Sequence, residues 1–175
     1  EVEVLKKIIK KGKKVFVVGV FANTLKDKYS LDKSFVVAGE PESFFLKVDL
    51  NAASLDEYFK PKENRNIKIY PNLVENLDDL PFPDWNYYLK KYNLQNNFLG
   101  FNSKAAIPIV ATRGCPYSCF NYCTYPLQQG RKVRFRSVQN VVAEIKYWLK
   151  NTKTNKFIFR DPVFSINRNY TIELC

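Results

Sequence analysis

The chain has 175 residues, of which 46% are hydrophobic, 15% aromatic and 26% charged, with a net charge of +11 at pH 7. This composition supplies a real core and excludes a disordered tail. No apolar stretch approaches the ~20 residues needed to span a bilayer, and no basic-then-apolar leader opens the chain. The positive charge favours anionic partners, but the lysines scatter from Lys6 to Lys156. A solvated basic surface is therefore the preferred reading, with nucleic acid kept as the lesser partner.

In chain order, Val2, Val4, Leu5, Ile8 and Ile9 form a helical stripe closed by Gly12. Val15 through Val20 reads as a buried parallel strand, followed by a polar loop through Asn23, Thr24 and Asp27. Phe35-Val36-Val37-Ala38 is a second strand, ending at Gly39-Glu40-Pro41-Glu42 before a helix restarts at Ser43. This alternation predicts an α/β fold, with ligands at the carboxyl ends of the strands, where Gly19 and Gly39 sit. Residues 51–66 have a weak pattern with a short helix at Ser54 to Phe59. Tyr70 to Trp85, with three prolines, reads as an extended connector. Ala105 to Thr112 is the next strand, with Pro108 at its centre. Ser137 caps a helix carrying Val138, Val141, Val142, Ile145, Trp148 and Leu149. Lys156 to Arg160 is a further strand, stopped by Asp161-Pro162, and the chain ends at Cys175 in what reads as the first turn of a helix. With no Met anywhere, the chain is expected to be a piece of a longer protein.

Between the third strand and the capped helix lies the strongest signal, Arg113-Gly114-Cys115-Pro116-Tyr117-Ser118-Cys119-Phe120-Asn121-Tyr122-Cys123-Thr124-Tyr125-Pro126. Four cysteines with three of them in nine residues do not make a secreted disulfide framework, so a reducing, cytoplasmic setting is expected. Three clustered thiolates suit an iron–sulfur cluster, and three ligands leave one iron of a four-iron cluster open. On a straight helix Cys115 and Cys123 would stand ~12 Å apart along the axis, so a shared metal needs the loop to curl back. A zinc site completed by Cys175 ranks second, and ordinary buried cysteines third. Arg131, Lys132, Arg134 and Arg136 could hold an anion or form a solvated edge ahead of the helix.

The cysteine loop resembles the signature of the radical S-adenosylmethionine enzymes. Cys115 and Cys119 match its first gap, and Tyr122 supplies the aromatic residue before Cys123. Three residues fill the second gap where that family has two. Val15 through Glu42, the connector Leu77 to Trp85, and Phe159 to Phe164 are similar, in that order, to the cobalamin-binding branch of the family. The resemblance implies the C-terminal part of a Rossmann-like cobalamin-binding domain (1–66), an interdomain connector (67–103) and the truncated start of a radical β/α barrel (104–175). It implies a 4Fe-4S cluster on Cys115, Cys119 and Cys123, with Tyr122 beside the adenine of S-adenosylmethionine and Asp161 near its amino group. Gly19, Thr24, Gly39 and Glu40 would line a cobalamin tail. A small-molecule substrate and a reducing partner such as ferredoxin or flavodoxin would follow. The implied reaction is radical methylation, cyclisation or rearrangement of an unreactive carbon. A methylthiotransferase-like enzyme acting on transfer RNA, and a non-catalytic basic zinc module binding nucleic acid, are the alternatives.

Overall fold

The computed structural model describes residues 1–48, 51, 67–69, 73–91, 106–119 and 122–175. The chain divides into two compact units, residues 1–75 with 114–132, and residues 76–113 with 133–175.

The first unit opens with α1 (Val2–Lys10), β1 (Val15–Val17), α2 (Val20–Thr24), α3 (Lys26–Tyr29), β2 (Ser34–Ala38) and α4 (Pro41–Phe45), and its third strand is β3 (Ile67–Ile69). The strands lie in the order β1-β2-β3, all parallel, with Val15 opposite Ser34 and Val36 opposite Ile67. Every residue of β2 is buried. Because strand side chains alternate between faces, β2 feeds two cores at once. Val36 packs with Leu5, Ala22 and Tyr29 on one face. Phe35 and Val37 pack with Phe44 and Val48 on the other. That second face is an aromatic layer, with Phe35 stacked on Phe44 at 5.4 Å and Phe16 edge-on to Phe35 at 5.5 Å. A strand covered on both sides has no polar face to show, which is why Phe35 to Ala38 is an unbroken apolar run.

Three local expectations change here. β1 stops at Val17, not Val20, because Gly19 takes φ +103° and caps α2, which begins at Val20. The polar stretch read as a loop is mostly helical, as α2 and α3. In α1, Leu5 is buried beside Val2 and Ile9, whereas Val4 is exposed. Gly12 does end the helix region with a positive φ of 76°, its N–H donating to the Ile9 carbonyl at 2.8 Å. The short helix expected at Ser54 to Phe59 lies outside the described residues.

The second unit contains a 3₁₀ turn (Leu77–Asp79), α5 (Asn86–Lys91), β4 (Ile107–Ile109), β5 (Thr112–Arg113), β6 (Arg134–Phe135), α7 (Val138–Asn151), β7 (Phe157–Phe159) and α8 (Arg168–Leu174). β4 pairs in parallel with β7, and β5 pairs antiparallel with β6. Pro108 is tolerated inside β4 because its neighbours face β7: Ile107 N–H donates to Lys156 O at 2.9 Å, and Ile109 O accepts from Arg160 N at 2.8 Å. The missing proline N–H falls on the other edge. Ile107, Ile109, Ala111, Val141 and Trp148 form the core. Ser137 caps α7 as expected, its Oγ accepting from Asn140 N at 3.1 Å. Cys175 follows the last residue of α8 rather than sitting in a first turn. Among the described residues this unit forms two two-stranded sheets, one of them the parallel β4–β7 pair with α7 between its strands; a barrel is not shown by them. No described helix is long and apolar enough to cross a membrane.

Candidate functional site

Two groups of expected site residues, Gly19 to Glu40 and Cys115 to Cys123, fall within the first unit. At the carboxyl ends of β1 and β2 the chain makes two sharp departures, Gly19 at φ +103° and Gly39 at φ +90°. Both conformations lie where a Cβ is rarely tolerated. Beyond its chain neighbours, no atom of the described residues stands within 4 Å of where a Gly19 Cβ would be. The Asn23 side chain joins the two strand ends, its Oδ1 accepting from Gly39 N–H at 2.8 Å, while its Nδ2 is buried with no hydrogen-bond partner among the described residues. Glu40 is 3% exposed and its Oε2 accepts the Val74 N–H at 2.7 Å. Thr24, expected to face a ligand, donates its hydroxyl back to the Val20 carbonyl at 2.8 Å.

The cysteine loop joins this unit through α6 (Tyr125–Gln129), which packs on α2. Its base is fixed by Cys115 N–H to Gly130 O at 3.1 Å and Gly114 N–H to the Gln129 side-chain oxygen, also at 3.1 Å. Gly130 has φ +77°, which side chains rarely adopt, and a Cβ there would press on Leu73 Cδ1, so glycine suits the closure of the loop against Leu73. Further along, Tyr122 N–H donates to Cys119 O at 3.2 Å, turning the chain back on itself. Arg131 Nη1 gathers the other arm, donating to Ser118 Oγ at 2.9 Å and to the carbonyls of Pro116 and Tyr117 at 3.4 Å. The result is a pocket of about 170 Å³ walled by Tyr117, Ser118, Cys119, Cys123, Pro126, Leu127 and Arg131.

The curl expected of the loop is therefore present, but it brings together two cysteines and not three. Cys115 is 5% exposed and is not part of the pocket wall. Among the described residues, no group of three or more His, Cys, Asp or Glu side chains is placed to hold a metal ion. A cluster needs three thiolates converging on one volume, and a zinc site needs four ligands. The donor set fits neither, so the 4Fe-4S cluster and the zinc site with Cys175 are both corrected. Tyr122, expected beside an adenine, is 75% exposed, and its ring faces solvent.

Asp161 belongs to the second unit. Its Oδ1 accepts from Ala111 N at 3.0 Å, Thr112 Oγ1 at 2.7 Å and Thr112 N, tying the residue after β7 to the chain between β4 and β5. Burial pushes its carboxyl above the usual aspartate value against the lowering effect of these donors, and Oδ2 has no hydrogen-bond partner among the described residues. Of the basic cluster, Arg136 is an internal residue. It pairs with Glu144, donates to Asn140 Oδ1 at 2.8 Å and Val110 O at 3.1 Å, and lies 5.7 Å from the Phe82 ring centre. Glu144 is 1% exposed, occupying the centre of the helix stripe, whereas Leu149, expected inside, is exposed. The sequence contained this network as Arg136, Asn140 and Glu144 at four-residue spacing, a signal that the apolar stripe obscured. Arg136 and Glu144 also line a mostly apolar cavity of about 270 Å³ beneath Leu77, Leu80 and Trp85.

No family model matches the chain. It is 30% identical over 167 residues to bacteriochlorophyllide d C-12(1)-methyltransferase of Chlorobaculum tepidum, a match taking in 93% of this chain and 33% of that protein. It is 27% identical over 148 residues to an uncharacterized methyltransferase of Pyrococcus horikoshii, covering 79% of this chain and 30% of that one. The chain thus spans about a third of the length of these curated relatives. Both names describe methyl transfer. The identification as a cobalamin-binding radical enzyme, with its iron–sulfur, cobalamin and metal-binding features, is corrected on these names and on the missing ligand group to a similarity to methyltransferases. The transfer-RNA methylthiotransferase and the zinc nucleic-acid module fall with it.

Proposed function

We propose that this chain is part of a methyltransferase that takes its methyl group from S-adenosylmethionine and delivers it to a small molecule. The observation that carries this is the match to the Chlorobaculum methyltransferase, which runs through 93% of the chain. Bacteriochlorophyllide is the acceptor named by that relative, and is the first acceptor to test in the longer protein.

Within the first unit, the carboxyl ends of parallel strands are where open α/β sheets bind nucleotide-like ligands. Gly19 leaves the backbone open at such an end. Gly39 and Glu40 shape the neighbouring wall, with Asn23 and Val74 as their partners. In this reading Thr24 stiffens α2 and makes no direct contact. Arg131 uses one terminal nitrogen to hold the loop and presents the rest of its guanidinium to the donor's carboxylate, the pairing such a planar fork favours. Tyr122 covers the adenine, and Cys119 and Cys123 give the pocket soft walls that make few hydrogen bonds. When bound, the donor supplies an activated methyl group on a positively charged sulfur. The chain's own residues orient it and keep water away.

Equilibrium dialysis with radiolabelled S-adenosylmethionine tests this. Saturable binding is expected, weakened about tenfold by Arg131→Ala, the equivalent of ~1.4 kcal/mol for one charged contact. Tyr122→Ala is expected to weaken it less. Absence of saturable binding by the folded chain, checked by circular dichroism, would remove the proposal.

A further inference from the structure

The lysines are spread along the sequence, but their densest run folds into one local surface of the first unit. Residues 6–14 hold six lysines, on α1 and on the turn that leads into β1. We propose that this helix and turn form a docking face for an anionic lipid bilayer, with α1 lying flat on the membrane surface. The proposal concerns the outer side of α1 and is independent of the methyl-transfer reading.

Three observations support it. The first is the division of α1 into sides. Val2, Leu5 and Ile9 pack inward with Ala22, Tyr29 and Val36. Val4, Lys7, Ile8 and Lys11 are spaced three and four apart, so they share the opposite side. Val4 is 58% exposed and Ile8 38%, and Lys7 and Lys11 beside them are exposed as well. Apolar side chains ringed by lysines are what an interfacial helix presents. The apolar tips enter the boundary between headgroups and acyl chains, while lysine stems lie along it and reach the phosphates. The second observation is that the helix does little to neutralise its own charge. Residues 1–14 set two glutamates against the six lysines. Glu3 is engaged with Lys6 at 2.8 Å, and Glu1 accepts from the Tyr29 hydroxyl at 2.8 Å. The third is that the sheet extends the patch. Val15 lies opposite Ser34, and its N–H donates to Lys33 O at 2.9 Å, so the exposed Lys33 stands beside the turn of Lys13 and Lys14. Asp32, also exposed, is the acidic residue of that loop.

Lipid fits this surface better than nucleic acid. Residues 1–14 contain no arginine for bidentate phosphate contacts and no aromatic ring on which a base could stack. Val4 and Ile8 would gain nothing from a phosphate backbone, whereas a membrane interface buries them. At nine residues α1 is far too short to span a bilayer, so it rests on one. Each lysine held near an anionic leaflet strengthens attachment about fivefold, and lipid-binding clusters on amphipathic helices hold roughly four to eight such residues.

Co-flotation of the chain with lipid vesicles tests this, using phosphatidylcholine alone and equal parts of phosphatidylcholine and phosphatidylserine. The chain should float with the mixed vesicles, stay behind with the neutral ones, and be released by salt as screening shortens the reach of the charges. Lys7→Ala with Lys11→Ala should weaken binding about 25-fold, fivefold for each lysine. Val4→Ser with Ile8→Ser should weaken it severalfold. Lys146→Ala with Lys150→Ala, two exposed lysines of α7, should leave it unchanged. All of these replace exposed side chains, and circular dichroism confirms that each variant is folded. Failure of the folded chain to float with mixed vesicles would overturn the proposal. So would equal losses from the α1 and α7 lysine pairs, which would mean diffuse charge. Tight binding to duplex DNA or single-stranded RNA, with vesicle binding indifferent to Val4→Ser and Ile8→Ser, would give the face to nucleic acid instead. No S-adenosylmethionine is present in these measurements, so failure here is distinct from failure of donor binding.

Discussion

The two units weight their interiors differently, although each buries a carboxylate, Glu40 on the Val74 N–H in the first and Glu144 in the second. In the first, the central strand is enclosed by aliphatic and aromatic side chains, and Phe44 touches Phe16, Phe35 and Phe45. In the second, ionisable side chains go inside: Glu144 against Arg136, and Asp161 on the backbone between β4 and β5. Apolar packing tolerates any side chain of the right size and sets the sheet without selecting a single partner. A buried ion pair selects its partner, since either member left alone carries the full cost of an unpaired charge in a poor dielectric. The difference matters for function, because the open glycine at the strand end and the thiol pocket both belong to the unit with the plainer core. There the strand ends are held by the Asn23 and Glu40 side chains and the cysteine loop by Arg131, over a mainly apolar interior.

Four variants would break or sharpen this contrast. Phe44→Ala should have the largest effect, about 3–5 kcal/mol by denaturant titration, because a fully buried ring leaves a void that three aromatic neighbours cannot fill. The cost should be nearly independent of pH. Glu144→Ala should cost about 3 kcal/mol, the lower end for a broken buried pair, because Arg136 keeps Asn140 and the Val110 carbonyl. Replacing both charges, Arg136→Met with Glu144→Leu, should recover most of the loss. If the double variant is as unstable as the single one, the second unit is held by packing after all.

Asp161→Asn should have the smallest effect and act on pH dependence. The folded-state carboxyl is raised by burial. The folded chain therefore holds its proton more tightly than the unfolded chain, and stability falls as pH rises from the ordinary aspartate value through the folded one. Asn keeps an oxygen for the Ala111 and Thr112 donors but does not ionise, so this slope should flatten in melts taken from pH 3 to 7. A stability profile unchanged by the substitution would show that Asp161 is not the group responsible. Tyr170 gives a separate alkaline marker. Burial, with the Asp161 charge as a second cause, pushes its phenol up to about 12, so it should still be protonated when exposed tyrosines have ionised.

Several features were legible in the chain itself because they depend on near neighbours. The β2 run announced a strand covered on both faces, the Ser137 cap located the start of α7, and Gly12, Gly19 and Gly39 marked where the backbone leaves its regular elements. The cysteine spacing marked a loop that walls a pocket. Its chemistry was read wrongly, since equal spacing says nothing about which thiols converge. A turn at Cys119 and a buried, backbone-tied Cys115 separated the three.

Local sequence thus decided the α/β alternation, the strand ends and the capped helix, all set by interactions a few residues long. Tertiary structure alone decided that Arg136 goes inward to Glu144, that Asp161 accepts from Ala111 and Thr112, and that the cysteine loop packs with the first unit and places Cys119 and Cys123, but not Cys115, along one pocket. Each of these turns on what lies opposite a side chain in space, and on whether burying it leaves a charge, a donor or a thiol with a partner.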